Sequence, residues 1–394
     1  MLHRYKLPFI ALMIAAASGC ADAEEATDRG LPANTADAVG TYAQIVQASY
    51  EDSLETARTL QAAVEAFVAQ PSGETLSAAR QAWLGSREPY LQTEVYRFYE
   101  GPIDNAADGP EGLINAWPLD ELYIDYGAAD PEAGLINDPS QTIDGEELES
   151  LNEQGGEKNI ATGYHAIEFL LWGQDQSDSG PGDRPYTDYL EGDEATAPNG
   201  DRRGQYLLTV TELLVGHLED LVKAWAADED NYRRSFENVG DEEALTRILT
   251  GMIVLSGFET GGERLQTAYD SSDQEDEHSC FSDNTHRDMV QDVRGVQNVW
   301  LGQYERTDGD RVEGVAIRDV VRAHDVGLAD ELDTAIQQSL ADAEALEPPF
   351  DREIQADNAA GRRRVQRLIT SLRAQEDLLE KVFHAFQLSV PADP

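Results

Sequence analysis

Long stretches of this chain repeat their apolar residues at helical spacing, and almost none alternate with period two. Between Val39 and Ala69 the apolar positions Tyr42, Ile45, Val46, Leu54, Leu60, Val64 and Phe67 recur without a proline. That pattern is one amphipathic helical face, held over too many turns for a strand. Thr75 to Tyr99 reads as a second helical stretch, with Pro89 as a kink or break and Gly101-Pro102 as its end. Another run opens near Thr162. Gln205 to Ala227 carries Leu207, Leu214, Leu218, Leu221 and Trp225 at helical intervals. Asp241 to Tyr269, Asp283 to Tyr304, Leu328 to Ala345 and Gly361 to Phe386 complete the set. Glycines at 251, 257, 261 and 262 predict that a neighbour packs closely there. The expected class is all-α, with two antiparallel helical-bundle domains. AWLGSREPY at 82–90 and VWLGQYERT at 299–307 share Trp-Leu-Gly, which fits a diverged duplication.

Residues 101–158 are rich in Gly, Pro, Asp and Asn and read as long loops with short helical pieces. Residues 173–204 form a polar insertion, expected as an exposed loop. The expected division is a first helical domain over 38–227, holding that insertion, and a second over 228–394.

His3, Arg4 and Lys6 precede an apolar run from Leu7 to Ala17, the layout of a signal peptide over 1–19. Ala17-Ser18-Gly19-Cys20 resembles a bacterial lipobox, which predicts lipidation of Cys20; the alternative is an ordinary cleaved signal with a chance cysteine. Residues 20–37 would then be a flexible tether. The expected location is the Gram-negative envelope, anchored at the outer membrane or its periplasmic face, with the lipid as sole membrane contact. With Cys20 lipidated, Cys280 has no intrachain disulfide partner, so packing alone must stabilise the fold.

The formal net charge is −47. Such a surface repels nucleic acid and anionic headgroups, which excludes nucleic acid as a partner. The acids are spread along the whole chain and lysine is scarce, as in proteins adapted to high salt. The charge is therefore no evidence for a specific metal site.

TGYHAIEFLLWG, 162–173, places His165 and Glu168 three residues apart in an otherwise apolar segment. A buried carboxylate needs a partner, a metal or a shifted pKa. With Thr162 as N-cap, both side chains share one helical face and can address one ion. The spacing is not that of a zincin, because Ala166 and Phe169 occupy the base and second-histidine positions. The alternative is a buried His–Glu pair that satisfies itself and an arginine. In WLGSREPYLQTEVYRFYEGPID, 83–104, the residues Trp83, Arg87, Tyr90, Glu94 and Arg97 form a helical stripe. Glu94 is then a third oxygen ligand, Arg87 an anion anchor, or the stripe a buried ion network. ETGGERL, 259–265, puts Glu259 and Glu263 on one helix beside glycines. EDEHSCFSDNTHRD, 275–288, crowds His278, Cys280 and His286 into one loop, with no standard zinc-knuckle spacing.

Together these blocks resemble the imelysin-like family, also called insulin-cleaving metallopeptidases. GYHAIEFLLWG matches its Gly-x-His-x-x-Glu signature, and REPYLQTEVYRFYEGPID, GLINAWPLDE and EHSCFSDNTHRD match further blocks in family order. The last is most like the branch containing the cyanobacterial iron-regulated protein A. The resemblance implies a two-bundle helical fold, a signature near the interface of the bundles, and a link to iron acquisition. Carried onto this chain, it gives Gly163, His165 and Glu168, and a wider site drawing on Arg87, Glu94, Asp120, Glu259 and His278.

The leading expectation is an exported lipoprotein that binds a divalent or trivalent metal ion or metal chelate, iron before zinc, for iron uptake. His165, Glu168, Glu94 and Asp120 would be the ligands. Its uptake partner protein is unidentified. Whether the chain is an enzyme stays open. A metallopeptidase would use Glu94 or Glu263 as base. A metal-independent module would grip an acidic ligand, a uronate polymer or a siderophore, with Arg87 and Arg97.

Overall fold

Thr35–Ala69 forms one unbroken helix against which the first half of the molecule is built. The computed structural model describes residues 30–177 and 179–392. The expected signal peptide at 1–19 and lipidated Cys20 lie outside the described residues. Leu31 already packs against the core, and the Thr35 hydroxyl donates to the Pro32 carbonyl at 2.7 Å. Residues 31–37, expected as tether, therefore belong to the folded part.

The next helix, Gly73–Leu91, opens on a capping box. The Ser72 hydroxyl accepts from the Thr75 amide and the Thr75 hydroxyl accepts from the Ser72 amide. Pro89 lies inside this helix and does not break it. It falls in the last turn, where a missing N–H leaves a single carbonyl without its helical donor. The helix ends at Leu91, and Glu94–Tyr96 forms a separate 3₁₀ turn. The predicted stripe thus breaks after Tyr90, and Glu94 and Arg97 are placed by a turn.

Helix Thr35–Ala69 packs along Gly73–Leu91 and Gly200–Trp225, and the short signature helix Gly163–Trp172 packs on the latter two. A second group joins Val326–Ala343, Ala359–Ala385, Thr285–Leu301 and the segment after Asp241–Val254. Thr285–Leu301 also lies against Gly73–Leu91, and residues from Leu31 onward pack as one unit. A large apolar cluster runs from Tyr42 and Trp83 to Trp300 and Phe383; a smaller one gathers Leu265, Met289, Val293, Leu368 and Leu372. The class is all-α apart from one hairpin among the described residues, Gln303–Glu305 paired antiparallel with Arg311–Glu313.

Three local expectations change. The helix predicted over Asp241 to Tyr269 is α-helical only to Val254, and it widens to a π-helix over Leu255–Gln266. The insertion 173–204 is not simply an exposed loop. Its Arg184 and Arg203 are buried and both bind Asp125 at 2.7 Å, stacked over the Tyr126 ring; Gly200 already opens the next helix. The Trp-Leu-Gly echo does not superpose in role either. Gly85 sits mid-helix, whereas Gly302 is a left-handed C-cap with φ 60°. No helix among the described residues is long and apolar enough to cross a membrane.

Candidate functional site

Gly163 opens the signature helix with φ +85°, and a Cβ there would stand 2.5 Å from the Ile114 carbonyl oxygen. Only glycine combines that backbone with that approach. Thr162 holds the N-cap position, but its hydroxyl donates to the Leu113 carbonyl and makes no cap bond. The helix is thereby pinned to residues 113–114 at its start.

In its first turn, the buried His165 places Nδ1 2.8 Å from Oε2 of the equally buried Glu168. The other Glu168 oxygen accepts from the Ser282 amide at 2.9 Å and the Ser282 hydroxyl at 2.7 Å. Burial pushes the Glu168 carboxyl up to about 8, against the pull of Ser282 and of Arg87. Burial also drives the His165 imidazole well below its ordinary value, and Arg87 adds to this. A lowered imidazole beside a raised carboxyl favours the uncharged form of each group. The remaining ring nitrogen, His165 Nε2, is buried with no hydrogen-bond partner.

His278 faces it from the 277–284 loop. The two rings meet edge to face, with centroids 4.8 Å apart. His278 Nδ1 lies 2.7 Å from Asp288 Oδ2, and Asn284 and the Ser279 hydroxyl also donate to Asp288. Burial holds His278 well below its ordinary value, helped by the nearby Arg264. Arg87 closes the floor. It donates to Asn115 at 2.6 Å, approaches Asp288 at 3.5 Å and lies 4.9 Å over the Tyr164 ring.

Glu94 is wedged into place by two glycines. A Cβ at Gly251 would meet the Val95 carbonyl oxygen at 2.1 Å, and one at Gly295 the Gln92 carbonyl oxygen at 2.6 Å. Glu94 Oε2 accepts from Arg97 at 2.7 Å and from Arg264 at 2.5 Å. Burial alone would raise its pKa, but Arg97 and Arg264 outweigh that and hold it well below the usual carboxylate range. Arg264 extends from the π-helix to Asp292 and Glu259, both at 2.9 Å. Burial lifts Asp292 to about 7 in spite of that contact. A π-helix at a charged junction is a common functional marker. A cavity of about 360 Å³ reaches His278 from outside, past Trp117, Glu111, Glu259 and Glu263.

The structure thus brings His165, Glu168, His278, Arg87, Glu94 and Glu259 into one neighbourhood, with Glu263 exposed at the cavity rim. It does not gather the expected ligand set. Both Glu168 oxygens are engaged, Glu94 is held by two arginines, and the exposed Asp120 caps the short helix Glu121–Ile124. His286 is turned to its own loop, with Nδ1 3.1 Å from the Asp283 carbonyl. Cys280 is a buried free thiol whose pKa burial raises. Asp288, Ser282, Arg264 and Asp292 were not singled out from sequence. Asp288 and Ser282 lie inside the quoted block 275–288, but nothing distinguished them among 76 acidic residues and ordinary serines.

Each of the two imidazoles has Nδ1 held by a carboxyl group, and their rings meet edge to face. Such carboxylate–histidine pairs orient imidazoles for metal ligation. Fold and site together define a helical-bundle protein with a buried histidine–carboxylate centre beside an acidic cavity. The imelysin family model (Peptidase_M75: Imelysin) matches residues 46–379, and the chain belongs to that family. It is 26% identical over 352 residues to iron-regulated protein A of Synechococcus elongatus, covering 87% of this chain and 83% of that protein. Two crystal structures share the fold. One, assigned to an iron-regulated protein A precursor from Parabacteroides distasonis, aligns with TM-score 0.69 and 20% identity over 91% of this chain and 97% of that chain. The other, an imelysin-like protein from Psychrobacter arcticum, aligns with TM-score 0.62 and 15% identity over 92% and 99%.

Proposed function

We propose that the chain is an exported, lipid-anchored protein with an iron-related role, and that His165 and His278 bind the metal through Nε2. The observation that carries this reading is the buried, unpartnered His165 Nε2, edge to face with a second histidine whose Nδ1 is likewise fixed by a carboxylate. Glu168 and Asp288 then orient the ligands instead of binding metal, which revises the ligand set read from sequence. Glu111, Glu259 and Glu263 line the approach and favour a cation over an anion. Iron is favoured by the name of the Synechococcus relative and by a mixed nitrogen and oxygen surrounding. An uptake partner would collect the metal at the cavity mouth.

The acidic-ligand module has less support, because Arg87 is engaged by Asn115 and Asp288 and Arg97 by Glu94 and Glu111. One observation favours a peptidase as second reading: the exposed Glu263 shares the cavity with His278 and is free of the arginine network that holds Glu94.

Anaerobic calorimetric titration of the mature protein with Fe(II), and separately Zn(II), tests the proposal. His165→Ala and His278→Ala should each weaken binding at least tenfold. Unchanged affinity in both variants would remove the site.

A further inference from the structure

A second group of ligand atoms lies on the other side of the 277–284 loop. Asp175 follows the signature helix, Asp283 ends the loop, and Asp351 belongs to the short helix Phe350–Ile354. One carboxylate oxygen from each lies within 4.8 Å of the other two, and among the described residues this is the one such group of three metal-ligating side chains. All three residues are buried, at 4%, 7% and 0% exposure. Asp175 Oδ2 and Asp283 Oδ1 accept no hydrogen bond, although both atoms are sealed from water. Glu277, wholly buried, lies within hydrogen-bond reach of the Asp351 carboxyl and the Thr285 hydroxyl.

We infer that Asp175, Asp283 and Asp351 form a binding site for a hard divalent cation of the calcium type, with Glu277 as a fourth carboxylate at its edge. Carboxylates this close cannot all be ionised in a dry site without a counter-charge. Burial lifts Asp283 to about 8, with Asp351 and Asp175 adding repulsion, and burial lifts Asp175 to about 6. A cation removes that cost at once. The donors are all oxygen, with no imidazole or thiolate, which selects a hard ion. Calcium accepts six to eight oxygens in irregular geometry, whereas magnesium demands a near-ideal octahedron and keeps its waters. A surface cavity of about 660 Å³ bordered by Asp175 supplies an entry path.

The site is independent of metal at His165 and His278, but it adjoins them. Asp283 directly follows Ser282, which holds Glu168, and Glu277 directly precedes His278. A cation here would fix the loop that supplies both contacts.

The test is thermal unfolding of the mature protein in chelator, then with excess calcium or magnesium. Wild type, Asp175→Asn/Asp283→Asn and His165→Ala/His278→Ala are compared. The inference predicts that calcium raises the wild-type Tm by several degrees and magnesium by less. The Asp variant should melt in chelator at or above wild type, because repulsion is relieved, yet show no calcium response. The His variant should still respond. Overturning results are no calcium shift in wild type, an equal shift in the Asp variant, or a magnesium shift as large as that of calcium.

Discussion

His165 and His278 meet edge to face, 4.8 Å between ring centroids, and each turns Nδ1 onto a carboxylate. Neither contact is local chance. His165 is aimed by a helix that only Gly163 allows to start against Ile114, and His278 by a loop whose serine and asparagine converge on Asp288. The pair is therefore preorganised, which would lower the cost of binding an ion there.

The carboxylate behind His278 should matter nearly as much as the ring. Asp288→Asn keeps the shape but puts an amide that can donate where a carboxylate accepts from Nδ1, so the lone pair is no longer fixed at Nε2. Metal affinity is expected to fall about 10- to 100-fold, read by competition with a chelating dye. An affinity equal to wild type would show that His278 is not oriented through Asp288.

Glu168 makes the apo protein pH-sensitive. Its folded pKa is raised from 4.5 to about 8, so the folded state holds the proton more tightly than the unfolded chain. That stabilisation is complete below about pH 4.5 and is lost as pH rises toward 8. Glu168→Gln carries no titrating proton. Urea unfolding in chelator from pH 5 to pH 8 should show wild type losing stability relative to the variant. A pH-independent difference between the two would contradict the assignment.

Arg264 joins Glu94, Asp292 and Glu259 across three parts of the fold. Arg264→Met leaves buried carboxylates without their cation, at a cost of about 3–5 kcal/mol. Chemical denaturation should report that loss. A loss under about 1 kcal/mol would mean the network is solvated in solution.

Gly163→Ala forces a side chain onto φ +85° and a Cβ to within 2.5 Å of a backbone oxygen. Strained backbone alone costs about 1–3 kcal/mol, and the helix start must also shift. Metal affinity and stability should fall together, as measured on the same preparation. Wild-type behaviour in both would mean the signature glycine serves another purpose.

Helix positions were legible because apolar spacing is a local signal. Thr35–Ala69 and Ala359–Ala385 fall within a few residues of their expected bounds. His165 and Glu168 stand out in the sequence because a charge among Ile167, Phe169 and Leu170 demands an explanation, whereas Gly163 came only with the family resemblance. What the spacing hid was tertiary. A helical stripe through Glu94 and Arg97 cannot reveal that the chain leaves the helix at Leu91, since glycines at 251 and 295, far along the chain, make room for that turn. Asp120 was expected as a ligand and Asp288 was not, and only packing separates an exposed cap from a buried acceptor for His278. The 173–204 stretch read as solvated because its arginines and acids are polar, yet Arg184 and Arg203 satisfy Asp125 inside the fold.

The most direct test is the iron and zinc content of the mature protein after equilibration with both metals and desalting. Wild type is compared with His165→Ala/His278→Ala and with Asp175→Asn/Asp283→Asn. The account predicts near-stoichiometric metal in wild type and in the Asp variant, and its loss in the His variant. Wild-type metal content in the His variant would contradict it.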